Sequence, residues 1–165
     1  MNRKKWLALS AAFAFIFAFT SCSHYDEINN DPKESRAGDD ESHESGQDCM
    51  SCHHKASDEA SEYWWTVAGT VYTNNDGLAK SGEVQLWSQP DGKGTLIYTL
   101  PIDLKGNFYT NKIIDFKGGY FPYIKVDGNK EDMPEKIAGN NINMSCNACH
   151  GHNANGLNTE KIEVK

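Results

Sequence analysis

The sequence lacks a hydrophobic run long enough to cross a membrane as a mature helix. Its longest apolar stretch, Leu7–Phe19, has 13 residues, whereas a spanning helix needs roughly 20. It also lacks a basic excess, because 16 Lys and Arg face 23 Asp and Glu for a net charge of −7. Such a chain does not offer the basic face that phosphates require, so we exclude nucleic-acid binding. The 165 residues allow one small domain with appendages.

The N-terminus has the layout of a secretory signal. Three basic residues at positions 3 to 5 precede the apolar stretch, and the tetrapeptide FTSC at 19–22 follows it. This tetrapeptide resembles bacterial lipoprotein signals, in which a small residue precedes a lipidated cysteine. The resemblance implies a signal peptide over 1–21 and lipid anchoring through Cys22, at the outer membrane or cell surface. The alternative is an ordinary signal peptide that leaves Cys22 as a thiol.

Aliphatic side chains are scarce over 22–48, which is rich in Asp, Glu, Ser and Asn. Such a composition cannot bury enough apolar surface to offset the entropy of ordering, so it predicts a disordered acidic tether. Helix formers follow over 56–64, where Ala56, Ala60 and Trp64 share one face. They predict a short helix over 56–64, after Cys52.

Beyond residue 63 the pattern becomes strand-like. Turn clusters separate short β-branched or alternating runs at 66–72, 83–87, 95–100, 106–110, 120–126 and 161–164. Pro122, inside one run, predicts an edge strand or a bulge. We therefore expect a mainly β fold, with an antiparallel β-sandwich over 63–140. That range contains no His and no Cys, and we find no active site in it.

Several short glycine motifs recur in this stretch. They are Gly69 with Val71, Gly77, Val84 with Leu86, Gly106 with Phe108, and Gly119 with Phe121. The order and spacing of these motifs, over about 65 residues, resemble those of the carboxypeptidase regulatory-like, transthyretin-type β-sandwich family. The resemblance implies a module that binds or presents a partner. We expect three tryptophans to be core and rim aromatics, Trp64, Trp65 and Trp87. The alternative is that Trp64 and Trp65 form an exposed pair that covers a flat cofactor.

Two copies of Cys-x-x-Cys-His account for four of the five cysteines. The first motif is Cys49–His53 and the second motif is Cys146–His150. Thiols three positions apart lie on one face of a helical turn, where both can reach one edge of a flat cofactor. Both motifs resemble the haem-attachment sites of c-type cytochromes. The resemblance implies two covalent haem c groups, in attachment segments over 49–62 and 141–165.

The resemblance also implies a role for each motif residue. Thioethers would come from Cys49, Cys52, Cys146 and Cys149, and the proximal iron ligands would be His53 and His150. A His placed just after such a motif commonly ligates a neighbouring haem in multihaem cytochromes, which makes His54 and His152 candidates for the sixth iron positions. His43 is their main competitor, whereas His24 is expected to be solvated. Three methionines are further candidates: Met50, Met133 and Met144.

These observations predict a membrane-anchored dihaem cytochrome, an electron carrier rather than an enzyme. Its expected partners are redox proteins, among them other cytochromes or further copies of the chain, and its expected role is extracellular electron transfer. Three alternatives stay open from the residues. In the first, the four cysteines form a Cys₄ zinc site or disulfides in a surface lipoprotein that binds or supports a partner. In the second, they form thioredoxin-like redox pairs. In the third, the chain is a small peroxidase with one five-coordinate haem.

Overall fold

The computed structural model describes residues 31–54, 64–74, 77–139, 144–151 and 161–165. The chain divides into two units, Met1–Pro32 and Lys33–Lys165, and everything described below lies within the second. The predicted signal peptide, Cys22 and the part of the predicted helix before Trp64 lie outside the described residues. In the parts that are described, no helix has the length and apolarity to cross a membrane.

The described part of the chain is mainly β, as the sequence predicts. Its strands in chain order are β1 (Val67–Thr73), β2 (Gly77–Leu78), β3 (Glu83–Gln89), β4 (Lys93–Pro101), β5 (Asn107–Thr110), β6 (Phe121–Val126), β7 (Asn129–Asp132), β8 (Met144–Ser145) and β9 (Ile162–Val164). Helix is confined there to three single turns, over Cys49–Ser51, Phe116–Gly118 and Asn147–His150.

The first sheet is built around β1. Strands β2 and β5 pair with β1 antiparallel, whereas β8 and β9 pair with it parallel. Val67 and Ala68 have partners in both β5 and β8, so these two strands flank β1 on opposite sides. The sheet is mixed, where the sequence predicts an antiparallel arrangement. Both parallel strands return to β1 after long connections, which is the condition for parallel pairing.

The second sheet has the order β4-β3-β6-β7 and is antiparallel throughout. Its two outer hairpins close on Asp-Gly pairs. Asp91 and Gly92 have φ values of 58° and 65°, and Asp127 and Gly128 have values of 51° and 87°. Two successive residues in this left-handed region match the twist of antiparallel strands, which is why Asp-Gly favours two-residue hairpin turns.

The main apolar core draws on both sheets. Val67, Val71 and Phe108 contribute from the first sheet, and Leu86 and Ile124 from the second. Successive residues of a strand point to opposite faces, so Ala68 and Thr70 lie on the other face of β1. Both are fully buried. The first Cys-x-x-Cys-His motif packs on that second face, where Cys49 and Met50 lie beside Ala68, whereas Cys146 of the second motif packs against the main core.

Residues 33–48 run along β5 and the loop before it. Ser35 is buried, and its backbone N–H donates to the Tyr109 carbonyl at 3.0 Å while its hydroxyl donates to the Pro101 carbonyl at 2.6 Å. Further along, the Leu104 N–H donates to the Asp39 carbonyl at 2.8 Å. The prediction of a disordered tether over 22–48 does not anticipate this docking. The prediction considers only apolar side chains, whereas the docking depends on hydrogen bonds.

Candidate functional site

Each Cys-x-x-Cys-His motif folds as one helical turn closed on its first cysteine. The Cys49 carbonyl accepts from the N–H groups of Cys52 at 3.4 Å and His53 at 2.9 Å. In the second motif the Cys146 carbonyl accepts from the corresponding groups at 3.1 and 2.8 Å. These bonds hold both thiols and the imidazole of each motif on a single turn. The first turn is also capped, because the Asp48 carboxylate accepts from the Met50 N–H at 3.0 Å.

The two turns lie side by side against the start of β1. The second follows β8 directly, and the Cys146 N–H donates to the Ala68 carbonyl at 2.9 Å. On the first, the His53 carbonyl accepts from the Trp65 N–H at 3.1 Å. The Ser145 hydroxyl donates to the Asp48 carboxylate and joins the two turns across 97 positions of sequence. The structure thus brings together two motifs that the sequence places at opposite ends of the β region.

A buried polar network holds this junction. The Thr70 hydroxyl donates to Asn107 Oδ1 at 2.6 Å and accepts from Asn147 Nδ2 at 3.0 Å and from the Gly46 N–H at 2.9 Å. The Thr70 N–H donates to Asn147 Oδ1 at 2.9 Å, and Asn147 Nδ2 also donates to the Gln47 carbonyl at 2.7 Å. Asn147 therefore connects the second motif, β1 and the residues just before the first motif.

Sequence reasoning did not single out the members of this network. Thr70, Asn107 and Asn147 are 0%, 4% and 1% exposed, yet each is an ordinary polar residue in the sequence. Asn147 is a variable position of the second motif, and no local pattern marks it as buried. Their role depends on contacts between distant segments, which is information that spacing does not carry.

The first thiol of each motif is shielded from solvent, and the second is exposed. Burial, followed by the charge of Asp48, raises the pKa of Cys49 from 9.0 to about 11. Burial, followed by the charges of Cys49 and Cys149, raises the pKa of Cys146 to about 12. Both groups are consequently uncharged at neutral pH.

Aromatic rings surround His53. Its ring centroid lies 5.2 Å from Trp65 and 5.7 Å from His43, and Trp65 in turn lies 4.6 Å from Tyr109. Trp64 and Trp65 are buried, as expected of core aromatics. Trp65 belongs to a small apolar cluster with Met50 and Ala68, against which Cys49 and Tyr109 pack.

The remaining predicted ligands are placed as follows. His54 lies directly after the first motif, with its Nδ1 atom 3.4 Å from the Cys52 carbonyl. His150 ends the second turn and is half-buried. His24 and His152 lie outside the described residues. No disulfide joins the four motif cysteines, all of which lie in the described ranges. Within the described ranges, no three or more His, Cys, Asp or Glu side chains are grouped to hold a metal ion.

Comparison of the chain with protein-family models, with curated proteins and with solved structures finds no match. The resemblances to c-type cytochromes and to the transthyretin-type sandwich stay predictions from the motifs.

Proposed function

We propose that this protein is a membrane-anchored dihaem c-type cytochrome that carries electrons in the periplasm or at the cell surface. The observation that carries the proposal is the meeting of two Cys-x-x-Cys-His turns, 97 positions apart, beside the start of β1. Electron transfer between cofactors requires that they lie close together. Attachment turns joined by direct hydrogen bonds meet that requirement.

The residues present fit a covalently bound haem. A thiol adds across a haem vinyl group by forming one C–S and one C–H bond, so no atom is lost. Cys52 and Cys149 are exposed, whereas Cys49 and Cys146 are half-buried on the same turns. His53 and His150 close those turns and would each ligate one iron. Haem supplies one-electron chemistry by cycling between ferric and ferrous iron.

The environment of the shielded thiols favours uncharged sulfur. A redox-active nucleophile is a thiolate of lowered pKa, but the pKa values of Cys49 and Cys146 are raised in the metal-free chain. A thioether carries no charge and loses nothing by burial. This contrast supports thioether formation over the thioredoxin-like alternative.

The finer architecture and location belong to the same proposal. The two sheets share one apolar core, which supports a β-sandwich with the attachment turns at one of its faces. Cys22 would anchor the chain by lipid, and the acidic surface would favour redox partners with basic patches. We find no general acid or base set at the two turns, so we propose an electron carrier and not a catalyst.

Separate removal of each motif tests the proposal. We would express the full chain in a host competent for cytochrome maturation and stain for haem after denaturing electrophoresis, since thioether-bound haem survives denaturation. The double variants Cys49→Ala/Cys52→Ala and Cys146→Ala/Cys149→Ala should each retain half the haem of the native chain. Ser51→Ala, which changes an exposed residue inside the first motif, is the matched control and should retain all of it. A native chain without stainable haem would refute the proposal.

A further inference from the structure

The rings of His43 and His53 are spaced as two ligands of one metal. Their centroids lie 5.7 Å apart, with planes inclined by 40°. Two imidazoles on opposite sides of one metal, each with a metal–nitrogen bond of about 2 Å, have centroids roughly 6 Å apart. We propose that His43 is the sixth ligand of the iron that His53 holds. This inference rests on the proposed function, because it presumes a haem at the first motif.

The two aromatic neighbours of His53 differ in their exposure. Trp65 is buried, and its backbone N–H bonds to the His53 carbonyl. A haem does not fit on that side, because protein already fills it. His43 is exposed, so a haem held by His53 would lie on the His43 side.

The loop that carries His43 is fixed on both sides. Asn107 Nδ2 donates to the His43 carbonyl at 3.2 Å and to the Ser42 hydroxyl at 3.0 Å. Three residues later, the Gly46 N–H donates to the Thr70 hydroxyl at 2.9 Å. A ligand whose backbone is already ordered loses less conformational entropy on binding than one in a mobile segment. The buried network therefore holds the backbone of His43 in place before any metal is bound.

Three of the described candidates, His54, Met50 and Met144, are placed less favourably for this iron. His54 adjoins His53 on the same turn and so cannot approach a haem from the face opposite His53. Met50 is buried in the cluster with Trp65, and Met144 packs against the main core. A role for His54 at the neighbouring haem is unaffected by these contacts.

The haem-loaded full chain tests the inference through the spin state of its ferric irons. His43→Ala should keep two covalent haems while one iron changes from low spin to high spin in the electron paramagnetic resonance spectrum. Added imidazole should restore the low-spin signal. His43→Met, which supplies a sulfur ligand instead, should raise the reduction potential of one haem and leave the other unchanged. Asp40→Ala changes an exposed residue nearby and should alter neither property.

The outcomes separate the inference from the proposed function. If His43→Ala keeps two haems and an unchanged spin state, and His43→Met keeps both potentials, then His43 is not a ligand although the protein is a dihaem cytochrome. If the native chain holds no covalent haem, the proposed function fails and the inference fails with it.

Discussion

At the scale of single residues, Gly69 is where the second motif meets the sheet. A Cβ atom at this position would lie 2.6 Å from Phe108 Cζ and 2.8 Å from Cys146 Cβ. Phe108 is a fully buried ring and the Cys146 Cβ is fixed to its backbone, so neither can move aside easily. Gly69 is thus required by close approach, because it lets the turn of the second motif lie against β1.

We expect Gly69→Ala to destabilise the fold by about 1–3 kcal/mol, which is typical of overpacking. The measurement is the midpoint of urea unfolding. Gly118→Ala is the matched control, because a Cβ there meets nothing within 4 Å, and its midpoint should stay near that of the native chain. Equal midpoints for both variants would show that Cys146 does not pack against Gly69.

The shielded thiols give a pH dependence in the haem-free chain. Their folded pKa values, about 11 for Cys49 and about 12 for Cys146, exceed the ordinary 9.0. The folded state therefore holds these protons more tightly than the unfolded state does. The stabilisation is fully present below pH 9 and is lost as the pH rises through 11 to 12.

The raised pKa values also affect the rate of alkylation of each cysteine, since thiolates react and thiols do not. At pH 9 we expect iodoacetamide to label the exposed Cys52 and Cys149 well before Cys49 and Cys146, as read by peptide mass spectrometry. Urea-unfolded protein is the control and should label all four alike. Uniform labelling of the folded chain would contradict the burial of the first thiol in each turn.

At the scale of elements, Asn147 joins three segments through one side chain. Asn147→Ala would leave the buried Thr70 N–H without its acceptor, and a buried unpaired group costs about 1–3 kcal/mol. We expect a loss of that size in urea unfolding. Asn129→Ala, at an exposed position of β7, should change the free energy of unfolding by less than about 0.5 kcal/mol. A neutral Asn147→Ala would mean that the network does not hold the two turns.

The strands show what local sequence can predict. Alternating and β-branched runs anticipated β1, β3, β4, β5, β6 and β9 to within about two residues, because the period of two reflects a half-buried surface directly. The hairpin between β6 and β7 was missed although Asp127-Gly128 marks it, since Asp-Gly is a strong hairpin signal. Strand β8 has two residues and no such signal, because its pairing with β1 is set by distant contacts.

Whether a proline is tolerated inside a strand depends on how far the neighbouring strands extend, as Pro122 in β6 shows. The sequence predicts an edge strand or bulge, yet β6 lies between β3 and β7. Proline is tolerated because β7 pairs with β6 from Tyr123 onward. Pro122 therefore lies beyond the end of β7, where no N–H is needed on that side.

At the scale of the whole molecule, sequence and structure contribute different parts of the account. The two motifs predict the chemistry from residue types and spacing, without any knowledge of the fold. They do not reveal that both turns meet on β1, nor that His43 and His53 are neighbours, because these contacts join segments that are distant in sequence. The docking of residues 33–48 escaped prediction for the same reason, since Ser35 and Asp39 bind through hydrogen bonds to strand and loop backbone.

The most direct test of the central claim is a count of covalent haem per chain. We would purify the full chain from a host competent for cytochrome maturation, measure the intact mass under denaturing conditions and record the reduced-minus-oxidised spectrum. The account predicts a mass increased by two haems and a spectrum in which both irons are reduced. A colourless chain whose four motif sulfurs are reduced, disulfide-bonded or zinc-bound would contradict it.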